Sequence, residues 1–411
     1  MKFLPLKDQM SLLMRGVQEV VPENDFEKKL QKSIDTGIPL RIKLGVDPTA
    51  PDIHLGHTVV MRKLRQFQDL GHQVVLIVGD YTAMIGDPSG RNQTRPRLSH
   101  EQVMENAKEY QQQFFKIVKK EQTEVRHNGD WFSKMSFEKV TELAGSITIA
   151  QMLEREDFKN RYANKQPISL HEFLYPLMQG YDSIEIESDV EIGGTDQKFN
   201  VLRGRDLQLR ENKELQVGLF MPILLGTDGK QKMSKSLGNY VGINESADVM
   251  YHKVYNIPDS LAESWFELLT DKPKNEIADL LKGDILAAKK ALALDIVSQY
   301  HGEQAAKAAE EKEKSVHSGN IDWENPSSLP DDAVVKNIED RDYTNLDILD
   351  LTEAFSSKGE ARRMLANNGV KFNGKIITNA NETLDRNMVK DRCLVQIGKR
   401  KFFLLNFQKP K

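Results

Sequence analysis

A chain of 411 residues exceeds what a single hydrophobic core organises, so two or three domains are expected. Its 39% hydrophobic and 29% charged residues suit a globular protein rather than a disordered one, and no apolar run nears the roughly 18 residues of a membrane helix. The formal net charge of −4 argues against a uniformly basic nucleic-acid binder, and the lone Cys393, in an apolar strand pattern, excludes an internal disulfide.

In chain order, the N-terminus Met1-Lys-Phe-Leu-Pro-Leu-Lys-Asp8 lacks a signal-peptide core, so a cytoplasmic protein without a membrane or DNA partner is expected. Residues 1–38 read as helices over Met10–Val20 and Asn24–Ser33, with no chemistry assigned. Ile42, Leu44 and Val46 then mark a strand that passes Gly45, breaks at Asp47-Pro48, crosses a turn holding Thr49 and enters a helix at His54. The helix has Val59, Val60, Leu64 and Phe67 as its apolar side. A strand feeding a helix N-terminus aims free N–H groups and the positive end of the dipole at one point, which suits phosphate. Gly56 leaves the backbone bare there, and His54 and His57 set short donors on one face. Alone, such a histidine pair is more often a surface or capping feature, so the rest of the chain decides.

Gln73–Val78 is a continuous apolar run, the mark of a strand buried on both faces, and strand, helix, strand of this kind implies a parallel α/β sheet. The loop Gly79–Arg91 leaves that strand at the end where such sheets bind ligands, with Thr82 and Asp87 as its inward polar groups. Leu98–Asn164 reads as an inserted helical block, led by a long amphipathic helix over Glu101–Lys120. Ser169 and Glu172 have capping-box spacing, and Tyr175, Gln179 and Asp182 follow as one polar stripe able to hold an ammonium group and a hydroxyl. A strand over Ile184–Val190 precedes Gly193-Gly194-Thr-Asp196-Gln197, and another over Met221–Leu225 precedes the Gly- and Lys-rich segment Lys230–Gly238. Lys232, Lys235 and Ser236 in that segment could clamp a triphosphate while charge moves onto a leaving pyrophosphate.

The His54-Leu-Gly-His57 turn, the Gly-Gly-Thr-Asp-Gln segment and Lys232-Met-Ser-Lys-Ser236, in this order, make the chain resemble a class I aminoacyl-tRNA synthetase. Tyr175, Gln179 and Asp182, with Thr82, Asp87 and Asn128-Gly-Asp-Trp131, resemble the bacterial tyrosyl branch more than the tryptophanyl one. The resemblance implies a Rossmann-like parallel-sheet catalytic domain over 1–226, with the inserted block at about 98–164 as a homodimer interface and a mobile loop at 227–240. It also implies an α-helical anticodon-facing domain over 241–316, a linker over 317–344 and a small α+β RNA-binding domain over 345–411. That last stretch holds thirteen Lys or Arg against seven Asp or Glu, a net +6 on an otherwise acidic chain, and Lys358, Arg362, Arg363, Lys399 and Arg400 are its phosphate-contacting candidates.

Carried over onto matching positions, the resemblance gives Thr49, His54, His57, Lys232, Lys235 and Ser236 to the reacting phosphate. Gly45, Asp47, Gly56, Gly194, Asp196 and Lys235 fall to ATP, with Asp196 on its ribose. Asp87, Tyr175 and Gln179 fall to the substrate ammonium, Gln197 to its carboxyl, Asp182 to the phenol hydroxyl, and Thr82 to the same pocket. ATP with Mg²⁺, tyrosine and tRNA(Tyr) are the implied ligands, with no metal-ligating side chains assigned. One departure stands out: where the family places a second tyrosine, two residues before Gly45, this chain has Lys43, which removes a phenol contact or sets a cation near Asp182. A tryptophanyl enzyme, a small-molecule nucleotidyltransferase and a non-catalytic RNA-binding relative are the rival readings.

Overall fold

The structure is a computed structural model that describes residues 3–50, 52–87, 99–318, 329, 333–398 and 401–408. It falls into two units, Met1–Asn244 with Ile257–Ile285, and Glu245–Asn256 with Leu286–Lys411.

The first unit opens with α1 (Leu6–Leu13), β1 (Glu19–Val21), α2 (Glu23–Thr36), β2 (Arg41–Val46), α3 (Leu55–Asp69) and β3 (Gln73–Val78). After α4 (His100–Phe114) and β4 (Thr123–His127) come the short helices α5 (Gly129–Phe132), α6 (Phe137–Ala144), α7 (Ile149–Met152) and α8 (Glu156–Ala163). Then follow α9 (Leu174–Glu185), β5 (Val190–Gly194), α10 (Lys198–Arg210) and β6 (Val217–Met221). Among the described residues the sheet order is β1-β6-β5-β2-β3-β4, parallel except for β1 against β6. The chain builds outward from β2 through β3 and β4, then returns to add β5 and β6 on the other side. The carboxyl ends of β2 and β5 therefore flank the switch point where open α/β sheets take their ligands. These two strands share the rungs Ile42 opposite Val190 and Lys43 opposite Glu191. Beyond them the sheet gives way to a crevice.

Against β5 and β6, α9 and α10 cross at glycines. A Cβ on Gly180 would sit 3.0 Å from the Gly204 backbone nitrogen, and one on Gly204 would sit 2.4 Å from Gln216 Nε2. Only hydrogens fit between these helices.

Four expected elements need correction. The helix over Met10–Val20 stops at Leu13, because Gly16 turns the chain at φ +66° and Glu19–Val21 pairs with β6 as β1. The long helix over Glu101–Lys120 ends at Phe114, and the block read as wholly helical contributes β4 to the sheet edge, a polar strand whose residues are all half-buried. The strand over Ile184–Val190 begins only at Val190: α9 continues through Glu185 and is closed by Glu187 in the left-handed region at φ 49°. The strand over Met221–Leu225 is Val217–Met221, ended by Pro222, which has no N–H for the ladder.

From Ala247 the chain is helical, as its period implies: α11 (Ala247–Tyr255), α12 (Ala262–Leu269), α13 (Lys274–Lys282), α14 (Ile285–His301) and α15 (Glu303–Ser318). Of these, α12 and α13 belong to the first unit, and α11, α15 and nearly all of α14 to the second. The second unit continues with β7 (Val334–Glu339), α16 (Asn345–Thr352), α17 (Lys358–Ala366), β8 (Val370–Phe372), β9 (Lys375–Ile376), α18 (Arg386–Val389), β10 (Arg392–Ile397) and β11 (Lys401–Gln408). These strands form a sheet of order β7-β11-β10-β8-β9, so the stretch read as linker supplies a strand parallel to β11. Phe372, Leu365, Val395 and Leu405 centre its core. Cys393 is buried in β10, where burial pushes its thiol up to about 12, a packed residue and not a nucleophile. Lys358, Arg362 and Arg363 are exposed on α17, whereas Lys399 and Arg400 lie outside the described residues.

Because the methyl of Gly204→Ala would press on Gln216 and Ser183, that substitution should destabilise the first unit by about 1–3 kcal/mol, read as a lower midpoint in urea.

Candidate active site

A crevice of about 770 Å³ opens between the carboxyl ends of β2 and β5. At one end His54 caps α3, and its backbone N–H donates to His57 Nδ1 at 3.4 Å, with the two rings stacked 3.8 Å apart. Burial, then the neighbouring imidazole and the Lys235 charge, hold His54 down to about 3. His57 opens into the crevice, yet the protein crowding it and the same lysine also lower its value. Both rings are therefore neutral at pH 7, and with Nδ1 accepting, His57 carries its proton on Nε2 as a donor.

Backbone pairing brings the lysine-rich segment opposite this turn. Ile243 N–H bonds Ile53 O at 3.0 Å and Leu55 N–H bonds Val241 O at 2.9 Å, around a bridge of His54 with Gly242. Met233 is buried here, its Sδ accepting from Gly56 N–H at 3.3 Å. Lys232 and Ser236 line the crevice together with Gly45, Asp47, Thr49, Gly56, Gly194 and Asp196. Lys235, expected among them, is not a lining residue; its Nζ pairs with the exposed Asp52 at the rim and lies 5.9 Å from the Tyr240 ring.

The other end carries the polar stripe of α9. Tyr175 Oη donates to Asp47 Oδ2 at 2.9 Å and Thr82 Oγ1 to Asp47 Oδ1 at 2.8 Å, so Asp47, expected on the nucleotide, is tied to the α9 stripe. Gly79 makes room for this knot, since a Cβ there would lie 2.2 Å from Asp47 Oδ1. Asp87 accepts from Gln197 Nε2 at 2.8 Å and from the Arg155 guanidinium at 3.2 Å. Asp182, buried at the deep end, accepts from Trp131 Nε1 at 3.0 Å and Asn128 Nδ2 at 3.4 Å. Burial raises its carboxyl to about 7, against the opposing pull of Lys43 and of those two donors, while Glu191 adds to the rise. The crevice thus pairs a carboxylate able to hold a cation near its mid-length with a second carboxylate able to accept from a hydroxyl at its end.

Several contributors escaped the sequence reading. Arg155, from the inserted block, ties Asp87 to Asn200 Oδ1 at 2.9 Å and to Asp157 at 2.7 Å. Asn200 in turn donates to Gln179 Oε1 at 3.0 Å and to Gln197 Oε1 at 3.2 Å. A lone arginine and a lone asparagine on helical stretches carry no local signal of such a role. Glu191 was legible only as the residue before Ile192-Gly193-Gly194. Lys43 does not line the crevice: it pairs with Glu191 at 3.0 Å just beneath it.

A family profile described as tRNA synthetases class I (W and Y) matches residues 36–318. A tyrosine–tRNA ligase of Carboxydothermus hydrogenoformans is 47% identical over 411 residues, covering 98% of this chain and 99% of its own length. One from Aquifex aeolicus is 46% identical, with 97% of this chain and 98% of its own length covered. Among solved structures, a C-terminally truncated mitochondrial tyrosyl-tRNA synthetase of Coccidioides posadasii aligns with a TM-score of 0.59 at 25% identity, over 74% of this chain and 91% of that one. A tyrosyl-tRNA synthetase of Archaeoglobus fulgidus, complexed with L-tyrosine, shares the fold with a TM-score of 0.60 at 22% identity, over 74% of this chain and 99% of that one.

Proposed function

The chain belongs to the class I tRNA synthetases for tryptophan and tyrosine and acts as a tyrosine–tRNA ligase, and from that premise we propose how its crevice divides the work. The reaction activates L-tyrosine with ATP to tyrosyl-adenylate and then passes the tyrosyl group to the 3′ end of tRNA. In our reading the tyrosine ammonium sits on Asp87, Tyr175 and Gln179, its carboxyl by Gln197 and its hydroxyl on Asp182, with Thr82 in the wall. ATP lies over Gly45, Gly56 and Gly194, its ribose on Asp196, and its phosphates between the His54–His57 turn and Lys232, Lys235 and Ser236. The observation that carries this division is that the histidine turn, the lysine segment and the α9 stripe line one crevice at the switch point of one sheet.

The carboxylate of tyrosine is already a nucleophile at neutral pH. Its oxygen bonds to the α-phosphorus as the bond to pyrophosphate breaks, and the burden falls on stabilising charge at phosphate. Neutral His54 and His57 donate to the oxygens on the crowded phosphorus without a proton being moved, and Thr49 adds a hydroxyl donor. Lys232 and Lys235 balance charge on the leaving group, which requires Lys235 to release Asp52. Mg²⁺ would come with ATP, held mainly by the phosphates, and would supply positive charge against the leaving group.

We further infer a cytoplasmic homodimer that binds tRNA through the helices of 241–316 and the basic face of residues 345–411. Among the described residues no helix is long and apolar enough to cross a membrane. For the dimer, the support is Phe137 and Leu170, 85% and 79% exposed, with Ile149 and Tyr162 also exposed in the same stretch of the first unit. Lys358, Arg362 and Arg363 on α17 remain the proposed phosphate contacts.

His54→Ala should slow adenylate formation by roughly 10²-fold with little change in tyrosine KM, checked by single-turnover kinetics; a defect confined to affinity would remove it from the phosphate. Asp182→Ala should cost tyrosine about 10–100-fold in kcat/KM and phenylalanine far less. In the unaltered protein, kcat/KM for tyrosine should fall as pH drops through about 7, where Asp182 takes up a proton and ceases to be a pure acceptor. Phe137→Glu should shift the sedimenting species from dimer toward monomer in analytical ultracentrifugation.

A further inference from the structure

Lys43 and Glu191 face each other across β2 and β5, and both side chains are out of water, at 0% and 1% exposure. Their rung is the one next to the crevice. Lys43 Nζ spends its three protons on Glu191 at 3.0 Å, the backbone carbonyl of Gln179 at 2.7 Å and Ser183 Oγ at 2.8 Å. Glu191 in turn accepts from Gln179 Nε2 at 3.1 Å, Ser183 Oγ at 3.1 Å and Gln216 Nε2 at 2.7 Å. Gln179 is thus gripped by its backbone from the lysine and by its side chain from the glutamate. Asp182 follows one turn along the same helix.

Packing alone does not account for the pair. Well-packed apolar residues of similar volume commonly match or exceed the stability of a buried ion pair, because both charges must first be stripped of water. What an apolar rung lacks is a charge acting on Asp182. Around that carboxyl stand Lys43 from β2, Glu191 from β5, Tyr175 from its own helix, and the neutral donors Asn128 and Trp131 after β4, with Arg126 over the Trp131 ring at 5.6 Å. Lys43 and Glu191 pull its proton affinity in opposite directions.

We propose that the Lys43–Glu191 pair is a positioning and specificity element: it fixes α9 over the mouth of the β2–β5 gap, and its balance of charge keeps Asp182 an acceptor for the substrate hydroxyl. Neither residue is a catalytic residue. The proposal rests on the reading of Asp182 as the hydroxyl contact, and the experiment separates the two.

The test uses the full chain with Lys43→Met, Glu191→Gln and the double variant, in ATP–pyrophosphate exchange with tyrosine and with phenylalanine across roughly pH 6 to 9. Lys43→Met should raise tyrosine KM about tenfold with a smaller change in kcat, lower the tyrosine-to-phenylalanine preference to match, and move the acid limb of kcat/KM to higher pH. Glu191→Gln should move that limb to lower pH, and the double variant should bring it back between the two. Limbs that stay put, or that move the same way in both single variants, would reduce the pair to a packing role and overturn the proposal. Should Lys43→Met fail to fold, Glu191→Gln and the double variant decide alone by the direction of their limbs. Asp182→Asn with unchanged preference would overturn the hydroxyl reading and this proposal with it, whereas a lost preference there combined with unmoved limbs would overturn the pair's role only.

Discussion

The short antiparallel pairing of Ile53–Leu55 with Val241–Ile243 is the contact on which the site depends. It joins two segments nearly two hundred residues apart in sequence, and it does so through backbone groups at the point where α3 begins. Helix N-termini leave N–H groups without intrahelical partners, and here the β-like bridge takes Leu55 N–H, Met233 Sδ takes that of Gly56 and His54 O that of His57. Together with the Gly56–Met233 contact, it sets Lys232 and Ser236 opposite His54 and His57. A parallel sheet supplies the platform, but this pairing makes one pocket out of two loops.

Much of this was readable before any coordinates. The apolar run Gln73–Val78, the strand-to-helix turn at His54, the capping box at Ser169 and the helices beyond Ala247 all follow from local rules of period, capping and turn chemistry, and they recur in the structure. The residues singled out around the histidine turn, the α9 stripe and the lysine segment, Lys235 apart, line one crevice. What escaped has a common physical cause. β4 is a polar edge strand and β1 a short one, so neither shows an apolar alternation, and their identity comes from partners distant in sequence. Arg155 and Asn200 matter only because folding brings them to Asp87 and Gln179, which no spacing rule encodes. The residue at Lys43 was visible as a departure from the family, but its partner Glu191 becomes apparent only once β2 and β5 are aligned.

The α9 end of the crevice is a polar network, partly to fully buried, and such networks are costly when any member is left unpaired. Asp47, Asp87, Gln179 and Asp182 each hold at least two partners, and the connections run through Tyr175, Thr82, Arg155, Asn200, Asn128 and Trp131. Side chains so constrained lose little further freedom when a ligand arrives, which is how a site of polar groups becomes selective instead of merely sticky. The same network ties the inserted block to the crevice, through the Arg155 guanidinium on Asp87.

Lys235 and Asp52 close the rim with an ion pair in which both groups are partly open to solvent, 29% and 51% exposed. Pairs of that kind contribute about 0–1 kcal/mol, so the carboxylate serves as a stand-in anion that is readily exchanged. In the division of work proposed above, Lys235 is thus a cation held beside the crevice by a weak partner. On that proposal a polyphosphate, carrying more charge than Asp52, would displace the carboxylate at little energetic cost, and departure of pyrophosphate would hand the lysine back.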